Sequence, residues 1–357
     1  MDLVKILQKA AELNASDIFM VSGLPLTYKI NGRIVRESEE RLMPEDTEAL
    51  VLGMYHLAGE RDPSRMLQRG DDDFSFSIVG ISRFRTNVYR QRGSLAAVIR
   101  VVAFQLPDPK ELGIPDVVLE LGDRTKGLIL VTGPAGSGKS TTLACIIDRI
   151  NRTRNAHVIT LEDPIEYLHR HDKSIISQRE VATDTESYMV ALRASLRQAP
   201  DVILLGEMRD YETMGVAMTA AETGHLVIST LHTMGVVNTI DRIIDAFPPN
   251  QQGQIRVQLS MVLQAVVSQQ LIGTVDGEVA PVFEVMMVNP AIRNMIRESK
   301  IHQIDNVVSS GQSEGMLSMD ASLLSLYQQK RITAQDAVMH SISPELMERK
   351  IAQLGAR

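Results

Sequence analysis

The feature that most constrains this chain is an octapeptide before its midpoint. Residues 133–140 read Gly-Pro-Ala-Gly-Ser-Gly-Lys-Ser, an apolar run from Gly127 to Val131 precedes them, and a helical pattern begins near Lys139. Glycines at these positions let successive backbone N–H groups turn toward one point, where the helix adds the positive end of its dipole. A strand, this loop pattern and a helix, in that order, predict a phosphate-binding P-loop.

Each part of the loop has a predicted role. The Lys139 ammonium reaches the β and γ phosphates of a nucleotide, and the Ser140 hydroxyl is a ligand for Mg²⁺. The predicted ATP-binding residues are Gly133, Pro134, Ala135, Gly136, Ser137, Gly138, Lys139, Ser140 and Thr141. The alternative is a glycine-rich turn with a surface lysine, which the surrounding strand and helix pattern disfavours. No Asn-Lys-x-Asp segment that reads guanine occurs, so nothing favours GTP over ATP.

Beyond residue 117, apolar strands alternate with helix-length stretches. Besides the run before the loop, the predicted strands are His157 to Leu161, Asp201 to Leu205 and His225 to Thr230. This alternation predicts a mostly parallel sheet covered by helices. From about Asn289 the strand signals fade and helical patterns dominate. The predicted ranges are 117–288 for the nucleotide-binding core and 289–357 for a helical C-terminal region of the same domain.

The first hundred residues follow a different rhythm. Helical spacing predicts one helix from Leu3 to Leu13 and another from Pro44 to Leu57. Asn31-Gly32 favours a tight type I′ turn between two strands. The predicted strands are Ile18 to Val21, Leu26 to Ile30, Arg33 to Val35, Phe74 to Ile78, Arg83 to Tyr89 and Leu95 to Val102. The predicted ranges are 1–104 for a small α+β domain with an antiparallel sheet and 105–116 for a linker. In the linker, regular secondary structure is interrupted by Pro107, Pro109, Gly113 and Pro115.

Carboxylates follow two of the predicted parallel strands. Glu207 comes just after the strand that ends at Leu205, where an acid can orient or deprotonate an attacking water. Glu162, Asp163 and Glu166 come after the strand His157 to Leu161, and a solvated acidic loop is their competing interpretation. The histidines His225 and His232 flank the strand between them, and each alone is typical of a packed or surface histidine.

Four arginines stand out by position. Arg193 and Arg197 are four residues apart and are predicted to share one helix face, whereas Arg85 and Arg100 lie on predicted strands of the first domain. A solvated or salt-bridged surface is the default interpretation for each of them.

Composition excludes several classes of protein. The chain has one cysteine, Cys145, so neither an internal disulfide nor a four-cysteine zinc site can form. A net charge of -7, 4% aromatic residues and no tryptophan offer nucleic acid no platform. The apolar runs fall short of the roughly 18 residues of a membrane helix, and residues 1–21 lack the pattern of a secretory signal. We expect a cytoplasmic protein without zinc and without a nucleic-acid partner.

Four segments of the second domain carry a family resemblance. They are Gly133 to Thr142, Leu161-Glu162-Asp163-Pro164-Ile165-Glu166-Tyr167, Leu205-Gly206-Glu207-Met208-Arg209-Asp210, and Ala220 to His225 with Leu231-His232-Thr233. They resemble the Walker A, Asp box, Walker B and His box of the secretion-type ATPases. Ala291 to Glu298 is similar to the AIRNLIRE segment of the type IV pilus retraction ATPases in that family, with Met295 in place of leucine. The resemblance covers essentially the whole chain.

The resemblance implies an architecture and an assembly. It implies a PAS-like N-terminal domain and a RecA-like P-loop motor domain, arranged as a homohexameric ring that hydrolyses Mg-ATP at subunit interfaces. The ring would power pilus retraction in twitching motility. It would sit peripherally at the inner face of the cytoplasmic membrane, with the inner-membrane pilus platform protein as partner and pilin as an indirect one.

The resemblance also implies roles for single residues. The implied roles are Glu207 as catalytic glutamate, Glu166 as an acid near Mg²⁺ and water, His225 and His232 as the His-box pair, Arg85, Arg100 and Arg242 as trans-acting or sensor arginines, and Arg293 and Arg297 as charges of the retraction motif. Gly206 stands where many P-loop enzymes carry the Walker B aspartate, which shifts metal binding to Ser140 and water.

The segment Ala291 to Glu298 is predicted to be a helix with two faces. Ala291, Ile292, Met295 and Ile296 form its predicted apolar face, whereas Arg293 and Arg297 are predicted to project outward. From the pattern alone, simple packing of the C-terminal helices is the better interpretation. The resemblance instead favours contact with the machinery that transmits force.

Other functions remain open as alternatives. Extension and secretion motors share the core but commonly carry a tetracysteine zinc motif, which one cysteine excludes. An accessory retraction ATPase shares every nucleotide motif, and the segment after Asn289 favours the main retraction motor over it. A RecA-like nucleic-acid motor is opposed by the acidic balance and the few aromatics, and a non-enzymatic pilus scaffold by the intact P-loop.

Overall fold

The computed structural model describes residues 1–30, 32–102 and 106–355. The chain divides into two units, Met1–Gln105 with Ile165–Leu168, and Leu106–Pro164 with His169–Arg357. Asn31 of the predicted hairpin turn, and residues 103–105 at the predicted boundary between domain and linker, lie outside the described residues. Gly32 has a φ of +75°, which glycine adopts readily in a tight turn.

The first unit is an antiparallel sheet with helices on one face. Its elements are α1 (Leu3–Glu12), β1 (Asp17–Met20), β2 (Pro25–Ile30), β3 (Arg33–Arg41), α2 (Pro44–Leu57), α3 (Ser64–Arg69), β4 (Asp71–Ile78), β5 (Ser82–Gln91) and β6 (Ser94–Val102). The strand order is β3-β2-β1-β6-β5-β4. Alternate residues such as Phe84 and Ile99 are buried with Met54 of α2 in one core. The opposite face carries Arg85 and Arg100.

The strands predicted in the first unit are confirmed, with two larger differences in length. β4 begins at Asp71, three residues before the predicted start at Phe74. β3 continues to Arg41, whereas the pattern predicted its end at Val35. Every residue of β3 is exposed at the edge of the sheet, so burial imposes no alternation that a sequence could reveal.

The second unit is a mixed α/β fold. Its elements are α4 (Asp116–Leu119), β7 (Gly127–Thr132), α5 (Lys139–Thr153), β8 (His157–Glu162), β9 (Ile175–Glu180), α6 (Tyr188–Ser195), β10 (Val202–Leu205), α7 (Tyr211–Glu222), β11 (Leu226–Leu231), α8 (Val236–Asp245), α9 (Pro249–Val262), β12 (Leu263–Gly273), β13 (Val279–Met287), α10 (Pro290–Arg297), α11 (Ile304–Ser310), α12 (Met319–Gln328), α13 (Ala334–Met339) and α14 (Pro344–Gly355). The strand order is β13-β12-β7-β11-β10-β8-β9, parallel except for the β12–β13 hairpin.

Helices cover both faces of this sheet. Helices α6 to α11 contribute to the core on one face, and α4 and α5 contribute to the core on the other. The strands β7, β10 and β11 are consequently apolar runs that are almost fully buried. None of the helices in the described ranges is both long and apolar enough to cross a bilayer.

The sequence pattern missed three strands of this sheet. β9 carries a mixture of polar and apolar residues at the edge of the sheet. β12 follows α9 without any intervening residue, so no glycine or proline marks the change, and β13 pairs with β12.

The prediction that Arg193 and Arg197 share a helix face is wrong, because α6 ends at Ser195. Pro200 disfavours helix in the residue before it, and Ala199 has a φ of +50°.

Candidate nucleotide site

The glycine loop, residues 133–138, joins β7 to α5 in a conformation that side chains would block. Gly133, Gly136 and Gly138 have φ values of +144°, +76° and +86°. A Cβ on Gly133 would lie 2.0 Å from the backbone oxygen of Gln269. The loop therefore needs glycine for its backbone angles and for close approach to β12.

This loop presents backbone donors at the start of α5. Within the described ranges, the backbone N–H groups of Gly136, Gly138 and Ser140 have no hydrogen-bond acceptor. Lys139 is buried, and its Nζ donates to the carbonyl oxygens of Gly133 and Pro134, each at 2.8 Å. Amides of this kind at a helix N-terminus, beside a lysine that curls over the loop, suit a polyphosphate.

Ser140 is the residue of this segment that suits a magnesium ion, since its hydroxyl lies in the first turn of α5. Across the part of the chain that the structure describes, no three His, Cys, Asp or Glu side chains are grouped so that they could hold a metal. A Mg²⁺ ion bound here would depend on phosphate oxygens and water in addition to Ser140.

A residue that sequence reasoning missed holds the glycine loop in place. Gln269 is buried on β12, the neighbour of β7. Its Nε2 donates to the backbone oxygen of Ser137 at 2.7 Å, and its Oε1 accepts from Thr142 Oγ1 at 2.7 Å. One amide side chain thus ties the loop to the first turn of α5.

Glu207 lies at the same edge of the sheet, two residues after β10. Its Oε1 accepts a hydrogen bond from Arg209 Nε at 2.7 Å, and its Oε2 lies 3.4 Å from His232 Nε2. The structure therefore brings together Glu207 and His232, two predicted site residues from different strands. Arg209 is an addition that the sequence did not single out, although it stands only two residues from Glu207.

The partners of Glu207 control its charge. Burial raises the pKa of the Glu207 carboxyl, but the hydrogen bond and charge of Arg209, with the charge of His232, outweigh burial and hold that pKa below its ordinary value. Glu207 is consequently ionised at neutral pH and is a weak base while Arg209 holds it. Stronger basicity requires that Arg209 move away.

The structure explains why glycine precedes this glutamate. A Cβ on Gly206 would lie 2.7 Å from the hydroxyl of Tyr188 and 3.2 Å from the backbone oxygen of Leu161. The Gly206 backbone also bonds to both neighbouring strands, as its N–H donates to Leu161 and its oxygen accepts from Thr230 Oγ1. An aspartate at this position would be crowded by Tyr188 and by Leu161 of β8, so its neighbours would have to shift.

His225, a predicted site residue of the second unit, does not join Glu207, and Glu166 belongs to the first unit. His225 precedes β11, and seven residues of parallel strand place it roughly 23 Å from His232, at the opposite edge of the sheet. There its Nδ1 lies 3.0 Å from the backbone oxygen of Ala220. Glu166 is exposed within Ile165–Leu168, the short segment that belongs to the first unit, and its role near Mg²⁺ stays a prediction.

The predicted arginines differ in whether their side chains form ion pairs or hydrogen bonds. Arg85 and Arg100 are directly opposed on β5 and β6, and both are exposed. Arg100 Nε donates to Asp17 Oδ1 at 3.1 Å, whereas Arg85 has no ion pair with any described residue. Arg242 is exposed on α8, and within the described ranges its side chain makes neither a hydrogen bond nor an ion pair.

The two arginines of α10 differ in the same way, which corrects the predicted outward projection of both. Arg293 Nη1 donates to the backbone oxygens of Ser260 and Met261, at 2.6 and 3.0 Å, in the last turn of α9. Arg297 is exposed. A cation at the end of α9 satisfies carbonyl groups that lack helical partners. Of the predicted apolar face, Ile292 and Ile296 are buried, Met295 is half-buried, and Ala291 is exposed.

A cavity of about 210 Å³ opens beside the glycine loop. Its walls include Gly138, Thr141 and Thr142 from the loop side, Leu271 from β12, and Arg331 from the C-terminal region. A cavity with apolar walls and a few polar groups, next to a phosphate-binding loop, has the character of a nucleoside site.

Comparisons with known proteins agree with this arrangement. Residues 1–314 match the family described as type II/IV secretion system protein. The chain is 41% identical to the type IV pilus retraction ATPase PilT of Pseudomonas aeruginosa, covering 97% of this chain and 99% of that protein. It is 39% identical to the type IV pilus ATPase PilU of the same organism, over 96% and 89%. A crystal structure of the pilus retraction motor PilT with bound ADP superposes with a TM-score of 0.88 at 47% identity, over 98% and 99%.

Proposed function

Because this chain belongs to the type II/IV secretion system protein family and is an ATPase, we propose that it hydrolyses Mg-ATP as a homohexameric ring to power type IV pilus retraction. The observation that carries the ATP chemistry is one sheet edge that holds the glycine loop, Lys139, Glu207 and His232. Retraction rests on the likeness to PilT along nearly the whole of both chains.

The ATPase roles follow from the contacts. The amides of the glycine loop and Lys139 hold the phosphates, with the nucleoside in the cavity beside Thr141 and Thr142. Ser140 holds Mg²⁺, which supplies charge neutralisation at the phosphates. Glu207 orients the attacking water and accepts its proton once Arg209 has moved, and His232, which lies 3.4 Å from Glu207, contacts the γ phosphate in this proposal.

The remaining proposals concern architecture and partners. We assign residues 1–104 to a PAS-like domain, 105–116 to a linker, 117–288 to a RecA-like core and 289–357 to its helical region. Arg85, Arg100 and Arg242 are proposed to act at subunit interfaces, which is also where Glu166 and His225 would reach a nucleotide. The ring would act at the inner face of the cytoplasmic membrane on the pilus platform protein, and indirectly on pilin.

Exposed Arg297, rather than Arg293, is the charge that α10 can offer to the pilus machinery. We expect that Arg297→Glu abolishes twitching while ATPase activity and thermal stability stay near those of the native protein. Arg293→Glu, which places an anion on the carbonyl end of α9, should lower stability as well. Normal twitching with Arg297→Glu would remove α10 from force transmission.

The likeness to PilU supports a second function, that of an accessory retraction ATPase. Complementation separates the two. The chain should restore twitching in a strain that lacks both of its retraction ATPases, with a Glu207→Gln variant as the inactive control. Restoration only in a strain that keeps its own main retraction ATPase would assign the accessory role, and failure in both strains with an active ATPase would remove retraction.

A further inference from the structure

Three adjacent strands of the large sheet present a row of buried oxygen groups at one level. Ser268 of β12 is the register partner of both Thr132 on β7 and Glu284 on β13. Register partners project to the same face of a sheet. All three are at most 2% exposed. We name Thr132, Ser268 and Glu284 the polar row.

The polar row holds the start of α8. The backbone N–H of Gly235 donates to Ser268 Oγ at 2.9 Å, and that of Val236 donates to Glu284 Oε2 at 2.9 Å. Thr239 Oγ1 lies 3.4 Å from Thr132 Oγ1. The first turn of α8 has no side-chain cap of its own, so these oxygens accept hydrogen bonds from its backbone N–H groups in place of a cap.

This turn follows directly on the nucleotide edge. His232, which contacts Glu207, precedes Gly235 by three residues, and Thr233 Oγ1 lies 2.8 Å from Thr239 Oγ1. On the other side, Thr132 is the last residue of β7 before the glycine loop. A shift at either place therefore reaches the polar row through one or two contacts.

Glu284 also faces a second helix. The backbone N–H of Met319, the first residue of α12, is directed at the same carboxylate and lowers the pKa of Glu284. Nearby, Leu317 forms a β-bridge with Val285, and Ser322 Oγ donates to the backbone oxygen of Phe283 at 2.6 Å. The first turns of α8 and α12 thus meet on one carboxylate.

In the described part of the chain, no basic side chain faces this carboxylate. The charged groups that face it are Asp305 on α11 and Asp320 on α12, both acidic. Burial, together with these two, raises the pKa of Glu284 to about 7, although the backbone N–H groups of Val236 and Met319 act in the opposite direction. Packing alone would favour an apolar residue at such a site, so the acid points to a role other than filling the core.

We propose that Glu284 is a positioning residue that transmits changes at the nucleotide edge to the C-terminal helices, by holding the first turns of α8 and α12 on one carboxylate. This inference rests on ATP binding and is independent of the pilus machinery.

Hydrogen–deuterium exchange of the intact protein tests it, with and without a non-hydrolysable ATP analogue. In the native chain, the analogue should slow exchange in peptides that cover 232–240 and 317–325 together. Glutamine has one acceptor oxygen where glutamate has two, so in Glu284→Gln an amide N–H group faces one of the two backbone donors. We expect the oxygen to keep the 2.9 Å bond to Val236, so that the link to Met319 is lost. We expect analogue affinity within about threefold of native, a retained response at 232–240, and a response at 317–325 reduced by at least about half.

Glu278→Gln is the matched control, because Glu278 is exposed in the turn between β12 and β13, and it should behave as the native chain. Glu284→Asp keeps the charge but is one methylene too short to reach both helices. It should show the same uncoupling, and it replaces Glu284→Gln if that variant does not fold. A full response at 317–325 in both Glu284 variants, or none in the native chain, would overturn the proposal.

Discussion

The glycine loop and Glu207 meet at one edge of one sheet, yet they are held in opposite ways. The loop is fixed by buried groups, since Lys139 is 8% exposed and Gln269 is 3% exposed. Glu207 is held by side chains that lie largely in water, Arg209 at 63% and His232 at 58%. The binding half of the site is therefore fixed in advance, and the hydrolytic half is able to rearrange.

The contacts of Glu207 should break more easily than those of the glycine loop. Ion pairs with exposed arms contribute at most about 1 kcal/mol, whereas leaving a buried polar group without its partner costs about 1–3 kcal/mol. A bound nucleotide or a neighbouring subunit can thus displace Arg209 from Glu207 without disturbing the loop. Binding and hydrolysis are therefore separable steps in such a site.

The largest effect should come from Arg85, an exposed arginine that forms no ion pair with the described residues of its own chain. If Arg85 acts on ATP of a neighbouring subunit, Arg85→Ala should lose roughly 10³-fold in turnover. Mixing Arg85→Ala with Lys139→Ala subunits should restore part of the activity, because some interfaces then combine an intact loop with an intact arginine.

Arg100→Ala is the comparison variant: Arg100 is proposed to act at the same interface, but it already pairs with Asp17, so its loss should lower turnover less than the loss of Arg85. Mass measurement must show that mixed rings form. Mixed rings no more active than the two separate variants would place Arg85 outside the site.

A second test uses pH to examine Glu284, the buried acid of the polar row. The pKa of Glu284 is about 7 in the folded protein and near its ordinary value of 4.5 when unfolded. Between these values the folded state keeps a proton that the unfolded state releases, so the free energy of unfolding should fall by about 3 kcal/mol as pH rises through this window. Glu284→Gln should lack this component. Equal pH dependence of urea unfolding in both proteins would contradict it.

A smaller effect is expected where the loop is tied to β12. Gln269→Leu leaves the Ser137 oxygen and the Thr142 hydroxyl without their partner, which should cost about 2 kcal/mol of stability and about tenfold in ATP affinity. Gln254→Leu on the exposed side of α9 is the control. ATP affinity equal to native in a folded Gln269→Leu protein would show that the loop holds its shape alone.

What the sequence could predict here depends on how local each feature is. The glycine loop and Glu207 are contiguous motifs next to apolar strands, and they were found. Gln269 was not, because its partner Ser137 is 132 residues away and a buried glutamine has no pattern. Glu284 did leave a signal, as the one acid within the apolar run Val282 to Val288.

Two arrangements could not be read from the sequence, for physical reasons of the same kind. His225 and His232 flank one strand, and because a strand separates its ends, the two histidines lie at opposite ends of β11 within one subunit. Arg293 and Arg297 are four residues apart on α10, a spacing that is also typical of two exposed side chains, so the sequence gives no sign that their surroundings differ. Only the packing of α9 against α10 shows that Arg293 is used within the fold.

The most direct test of the division between binding and hydrolysis is ATP affinity and turnover, measured side by side for Lys139→Ala and Glu207→Gln. Lys139→Ala should lose binding and turnover together. Glu207→Gln should bind ATP within about threefold of the native protein and lose about 10²- to 10⁴-fold in turnover. Equal losses of affinity and turnover in Glu207→Gln, or native turnover in Lys139→Ala, would contradict the division.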